Sequence, residues 1–107
     1  MPQQPNIALA TIRALADGRQ PETRPAGDRI FTAGDPGDCL YAILEGSVLI
    51  DWGKGIHEAL EAGDCFGFDV MADPQKRRYC SATASSPVTL LAMNREHFLL
   101  AIQEFPM

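Results

Sequence analysis

The chain lacks any hydrophobic run long enough to cross a membrane as a helix. Its apolar stretches are interrupted by Asp, Glu or Gly well before the roughly 20 residues that a membrane-spanning helix requires. Its N-terminus, Met1-Pro2-Gln3-Gln4-Pro5, also lacks the basic segment and the hydrophobic core of a secretory signal. We therefore expect a cytoplasmic protein that does not associate with membranes.

Positive charge is scarce. The chain has 9 Lys and Arg against 14 Asp and Glu, which gives a formal net charge of −5. Binding to nucleic acid or to an anionic membrane needs a clustered positive field, so this composition disfavours direct DNA binding by this chain. Any anion site must therefore be local.

Residues suited to metal binding or to catalysis are also few. The three cysteines, Cys39, Cys65 and Cys80, are an odd number without CxxC spacing, which favours reduced thiols in the core. The two histidines, His57 and His97, do not form the HxH pair that a metal-dependent cupin of jelly-roll fold needs. We predict a protein that is not an enzyme and holds no metal or cofactor, with a metal-dependent cupin as the enzyme alternative.

The first 27 residues are predicted to form a short helix and a linker. Asn6 can cap a helix that Asp17-Gly18 can end. Residues 18–27 contain Pro and Gly without apolar periodicity, so we interpret them as a linker or an extended arm. The remaining residues, 28–107, are predicted to form one domain, because 107 residues are too few for two hydrophobic cores.

The following residues alternate short strands with Gly-rich turns, which is typical of an all-β sandwich or barrel. Val48, Ile50 and Trp52 recur at every second position and are expected to face the core, although Leu49 weakens the alternation. The predicted strands cover residues 29–32, 40–44, 47–52, 56–60, 79–84 and 88–93.

Two helical segments are predicted within this domain. Residues 66–72 are apolar and short, and fit a single helical turn better than a paired strand. Asn94 can cap a last helix that places Phe98, Ile102 and Phe105 on one face and stops at Pro106.

A pattern of glycines, aromatic residues and one arginine extends through the domain. It reads Phe31-x-x-Gly34-Asp35, Leu40-Tyr41-x-Ile43-Leu44-x-Gly46-x-Val48, Gly63-Asp64-x-Phe66-Gly67 and then Arg78. This order resembles the cyclic-nucleotide-binding domain of catabolite activator and fumarate-nitrate regulator proteins and of cyclic-AMP-dependent kinase regulatory subunits. The resemblance implies a jelly roll with a short N-terminal helix, a short phosphate-cassette helix and a C-terminal helix.

The resemblance also implies a ligand pocket formed by Gly67, Phe68, Asp69, Arg78 and Tyr79. Backbone amides after Gly67 would face the phosphate, and the arginine would bind it bidentately from the other side. Counted back from the last helix, Arg78 falls on the phosphate-binding arginine of the family and Tyr79 on the small residue that follows it. A slip of one residue would transfer this role to Arg77.

The chain departs from the family pattern at three points. Phe68 replaces the glutamate that accepts the ribose 2′-hydroxyl, and loss of such a charged hydrogen bond predicts about ten- to a hundredfold weaker ribose recognition. Asp69 could substitute only if the helical turn shifted by one residue. The bulky Tyr79 could fill the pocket, and the sequence ends at Met107, where family members continue into a long helix.

Two functions follow from these observations. The first is a stand-alone regulatory module that binds a cyclic mononucleotide such as cAMP or cGMP, or another small anion. The second is a degenerate module that has lost the ligand and serves as a protein-interaction or oligomerisation domain, because Phe68 and Tyr79 fill its pocket. Arg78, with Arg77 and Lys76, could also be a solvated basic cluster. The chain could be a fragment of a regulator or a subunit that acts on another polypeptide.

Overall fold

The computed structural model describes residues 20–69, 75, 77–94, 96 and 99, which fold mainly as β-strands. The strands are β1 Glu22–Arg24, β2 Arg29–Phe31, β3 Leu40–Glu45, β4 Ser47–Gly53, β5 Ile56–Glu61, β6 Cys65–Phe66, β7 Ser81–Ala84 and β8 Val88–Met93. They form two four-stranded sheets, with the orders β1-β8-β3-β6 and β2-β7-β4-β5. All pairs of neighbouring strands are antiparallel. This architecture confirms the predicted mainly β, jelly-roll fold.

The helices are described only in part. Asp69, Glu96 and Leu99 are helical, whereas the predicted N-terminal helix and most of the other two predicted helices lie outside the described residues. No helix among the described residues has the length and apolar composition needed to cross a membrane.

Two edge strands, β1 and β6, were not predicted from the sequence. Residues 22–24, inside the segment interpreted as a linker or extended arm, form β1 and pair with β8. Phe66 was expected to begin a helical turn, but it lies in β6 and pairs with Tyr41 of β3. β3 thus pairs with β6 on one side and with β8 on the other.

The core lies between the two sheets and is centred on three aromatic rings. The Tyr41 and Phe66 rings stack with centroids 5.3 Å apart, and Phe31 lies 5.9 Å from Phe66. Val48 and Ile50 are fully buried in this inner cluster, so the predicted alternation along β4 is confirmed. A second, outer cluster contains six buried side chains, with Phe68 packed against it; its buried members are Leu40, Ala42, Leu44, Cys65, Leu91 and Met93.

The chain passes from one sheet to the other at Gly46, the single residue between β3 and β4. Its φ of 92° lies in the left-handed region that favours glycine. A Cβ atom at Gly46 would also overlap the Pro87 carbonyl oxygen and approach the Val88 side chain. The position therefore needs glycine for both its backbone conformation and its packing.

We expect Gly46→Ala to lower the free energy of unfolding by about 2 to 5 kcal/mol, through left-handed strain and overpacking. Gly27→Ala is the matched control, because Gly27 has a φ of 86° and no atom within 4 Å of an added Cβ. In the control, left-handed strain alone should lower the free energy of unfolding, by about 1 to 2 kcal/mol. Urea denaturation measures both. Equal losses would show that the Pro87 contact does not matter.

Candidate functional site

Arg78 lies three residues before β7 and is buried, with 4% of its surface exposed. Its backbone is held by the 34–35 loop, because Gly34 N donates to Arg78 O and Arg78 N donates to Asp35 O, each at 2.8 Å. Arg77 is exposed, and its Nη1 donates to the Gly34 carbonyl at 2.9 Å. Of the two arginines left open by the sequence register, the structure therefore buries Arg78.

The Arg78 guanidinium is surrounded by hydrogen-bond acceptors and one aromatic ring. Its Nη1 donates to the Gly67 carbonyl at 3.0 Å and to Asp69 Oδ1 at 3.3 Å, and its Nη2 donates to the Cys39 carbonyl at 2.7 Å. Its Cζ lies 4.0 Å from the centre of the Phe31 ring, in cation–π geometry. These groups form the Arg78 cradle. Such partners are required because an unpaired charge is strongly disfavoured in a protein interior.

Two glycines shape this cradle. A Cβ at Gly37 would lie 2.6 Å from Arg78 Nε, and a Cβ at Gly67 would lie 2.9 Å from Nη1. Both distances are shorter than van der Waals contact allows, so a side chain at either position would displace the guanidinium. Gly67 also has a φ of 94°, which favours glycine independently.

One nitrogen of the guanidinium has no acceptor. The Nε–H of Arg78 is buried and has no hydrogen-bond partner among the residues that the structure describes. A buried donor without an acceptor costs about 1 to 3 kcal/mol. The Nε–Nη2 edge of a guanidinium is one at which it can bind a phosphate or carboxylate bidentately, and here Gly37 lies against this edge and Nη2 already donates to the Cys39 carbonyl.

Asp69 closes the opposite side of the cradle. Its side chain and that of Arg78 are each only 3% exposed. Its Oδ2 accepts hydrogen bonds from Tyr79 N at 2.6 Å and from the Cys80 thiol at 3.7 Å. Burial, followed by the Asp69 charge, raises the pKa of the Cys80 thiol to about 12, so the thiol stays a protonated donor.

These bonds explain why β7 begins at Ser81 and not at the predicted residue 79. The Tyr79 amide is bound to the Asp69 carboxylate and is therefore not available to a neighbouring strand. From the sequence, Asp69 is also a candidate replacement for the ribose-binding glutamate. Its carboxylate faces Arg78.

Phe68 and the Tyr79 ring lie outside the cradle. Phe68 packs against the outer cluster, on the far face of β3 from Phe31. Tyr79 is 54% exposed and borders a shallow groove of about 190 Å³, with Asp51 and Trp52 among its other walls. Neither side chain is therefore among the groups that contact the Arg78 guanidinium in the described part of the chain. A groove of this size is also smaller than the roughly 300 to 1,000 Å³ of small-molecule sites.

The structure thus brings together three of the five predicted site residues, Gly67, Asp69 and Arg78. The sequence prediction missed Gly37 and the Cys39 carbonyl. The turn signal at residues 35–38 placed a loop there, but a carbonyl's partner depends on the tertiary fold and not on residue type. Phe31 belonged to the quoted pattern, although its contact with the arginine was not foreseen.

All three cysteines are free thiols, as predicted. Cys65 and Cys80 are buried, and Cys39 is half-buried. Burial raises the pKa of the Cys65 thiol to about 12 as well.

Comparison with known proteins agrees with this geometry. The cyclic nucleotide-binding domain family matches residues 21–105. The CRP-like cAMP-activated global transcriptional regulator of Mycobacterium tuberculosis is 34% identical over 95 residues, which cover 84% of this chain and 42% of that protein. This chain therefore spans less than half the length of that relative.

Solved structures show the same similarity. The catabolite activator protein of Thermus thermophilus is 29% identical with a TM-score of 0.67, over 91% of this chain and 47% of that one. The EAL enzyme Bd1971 in its cGMP-bound form is 31% identical with a TM-score of 0.65, over 78% of this chain and 23% of that one. The predicted resemblance is confirmed, and this chain belongs to the cyclic nucleotide-binding domain family, of the type found in CRP-like regulators.

Proposed function

We propose that this domain binds a cyclic mononucleotide, such as cAMP or cGMP, through the ligand's phosphate at Arg78, and that it is a non-catalytic regulatory module. The observation that carries this proposal is the buried Nε–H of Arg78, which lacks a partner among the described residues and faces Gly37. A phosphate oxygen at this edge would satisfy the donor with a charge-assisted hydrogen bond.

The relatives support the class of ligand. One is described as cAMP-activated, and another was solved with cGMP bound. The phosphate is common to both nucleotides, so the Arg78 cradle does not by itself choose between them. Other small anions that can bind a guanidinium bidentately belong to the same ligand class.

Ribose recognition is expected to be weak. Phe68, at the position of the family's ribose-binding glutamate, has no carboxylate and packs against the outer cluster. Affinity would then rest on the phosphate and on apolar contacts. We expect dissociation constants about ten- to a hundredfold weaker than those of a domain that has the glutamate.

The regulatory step would be a shift between two conformations of the segment after Gly67. A ligand changes such an equilibrium only by binding one conformation more tightly than the other. Asp69 reaches three consecutive residues, 78–80, so movement of the 67–69 segment would be felt directly at the start of β7. The response would be read by a partner protein or by a second copy of the chain.

One observation favours a second function, a ligand-independent interaction module. The cradle is already closed by Asp69, with both charged side chains 3% exposed. Such a module would melt at high temperature without nucleotide and form dimers detectable by light scattering. A monomer that nucleotide stabilises contradicts it.

We expect cAMP or cGMP to raise the melting temperature of the wild-type domain, because a ligand at a hundred times its dissociation constant adds about 2.7 kcal/mol of stability. Arg78→Lys should weaken binding about tenfold or more, since lysine keeps the charge opposite Asp69 but loses the planar fork. Thermal-shift titration with cAMP, cGMP, cyclic dinucleotides and inorganic phosphate measures this.

Arg77→Lys is the matched control, because it makes the same change at the adjacent, exposed arginine and should leave binding nearly unchanged. A larger loss with Arg77→Lys would establish the alternative register. Failure of every nucleotide to stabilise the wild type at millimolar concentration would contradict the proposed function and favour the interaction module.

Gly37→Ala tests the cradle from its other side. Gly37 does not have a positive φ, so alanine adds no left-handed strain, but its Cβ would lie 2.6 Å from Arg78 Nε. The flexible end of the arginine should shift, leaving the domain folded but binding nucleotide at least about tenfold more weakly. Calorimetric titration measures the affinity for nucleotide, and circular dichroism measures whether the domain is folded. Unchanged affinity would mean that the ligand does not use this edge.

A further inference from the structure

We propose that Asp69 is an intramolecular competitor for the ligand, so that binding is an exchange of one anion for another at Arg78. The proposal rests on the proposed function and deepens it, because it names the residue that sets the affinity of the site. Its starting point is the ion pair between Asp69 Oδ1 and Arg78 Nη1, 3.3 Å apart, with both side chains 3% exposed. The carboxylate presents the guanidinium with the same chemistry as a phosphate.

Charge balance favours exchange over simple addition. The cradle contains one guanidinium, and its one positive charge is matched by the Asp69 carboxylate. A phosphate bound beside a retained carboxylate would leave an uncompensated negative charge in a buried site, which is strongly unfavourable. Arg77 is exposed and donates to the Gly34 carbonyl, so it does not supply a second charge inside the cradle.

Hydrogen-bond capacity points the same way. Nη1 has two N–H groups, and both are used, by the Gly67 carbonyl and by Asp69. The Nε–H without a partner is buried against Gly37, so an incoming anion can reach it only if the guanidinium shifts. Release of Asp69 frees one end of the guanidinium and permits that shift.

Exchange would change more than the arginine. Asp69 Oδ2 also accepts the Tyr79 amide at 2.6 Å and the Cys80 thiol at 3.7 Å, so its departure frees both donors. The Tyr79 side chain borders the groove that contains Trp52, the only tryptophan of the chain. The same step that admits the ligand would thus alter the surface at the start of β7.

Asp69→Asn tests the competition. Asparagine keeps a carbonyl oxygen that can accept the Tyr79 amide, but it removes the charge that competes with the ligand. We expect cAMP or cGMP to bind about tenfold more tightly or better, by the usual magnitude of a charged hydrogen bond. Asp38→Asn is the matched control, because Asp38 is an exposed carboxylate in the loop between Gly37 and Cys39. The control should change affinity by less than about threefold.

The possible outcomes distinguish a failure of the proposed competition from a failure of the proposed nucleotide binding. If the wild type binds nucleotide and Asp69→Asn binds it with the same or a lower affinity, the competition is overturned and the proposed function stands. If Asp38→Asn increases the affinity for nucleotide as much as Asp69→Asn does, the effect comes from the net charge of the protein, and the competition is also overturned. Binding by neither wild type nor Asp69→Asn overturns the proposed function itself, and the ion pair is then purely structural.

A second measurement needs no variant. In the ¹H–¹⁵N spectrum of the wild-type protein, we expect the Tyr79 amide proton to lie far downfield without nucleotide, because it donates to a carboxylate at 2.6 Å. Saturation with cAMP or cGMP should move it upfield as that bond is lost. A Tyr79 resonance that keeps its position while other resonances of residues 67–80 report bound nucleotide would overturn the exchange.

Discussion

The burial of the Arg78 charge is the constraint on which the site depends. A residue that is 4% exposed must find acceptors for its guanidinium within the protein, and Arg78 has them in two separate segments. The Cys39 carbonyl comes from the entry to β3, and the Gly67 carbonyl and Asp69 carboxylate come from the segment after β6. β3 and β6 are paired in one sheet, and Arg78 precedes β7 of the other sheet, so the arginine links the two sheets at this end.

The same constraint explains the small and flat residues around it. Phe31 offers its ring face to the cation, and Gly37 and Gly67 leave the volume that the guanidinium occupies. The buried Nε–H is left without a partner among the described residues. A cradle that satisfies most of a buried arginine, but not all of it, is suited to an anionic ligand that completes the set.

Much of the fold could be predicted from the sequence because its strands carry their own signals. The β8 strand has the predicted bounds, since an apolar run follows the turn at residues 85–87, and Val48 and Ile50 alternate inward as expected. β1 was not predicted as a strand, because its three residues lie between Pro21 and Pro25 and gain their order from pairing with β8. Local patterns contain no information about such distant partners.

The site was harder to predict than the fold. The family pattern indicated Gly67 and Arg78, and both lie in the cradle. Asp69 was expected to contribute its amide or to replace a ribose ligand, yet its carboxylate binds Arg78, Tyr79 and Cys80. Which way a short polar side chain points depends on the backbone after Gly67, whose φ of 94° is not encoded in any periodicity. The side chains of Phe68 and Tyr79 lie outside the Arg78 cradle.

The most direct test of the account is a crystal structure of the domain grown with saturating cAMP or cGMP. We predict a phosphate oxygen within hydrogen-bond distance of Arg78 Nε, with the Asp69 carboxylate separated from the guanidinium. A structure in which nucleotide is bound away from Arg78, while Asp69 and Arg78 keep their 3.3 Å contact, would contradict it.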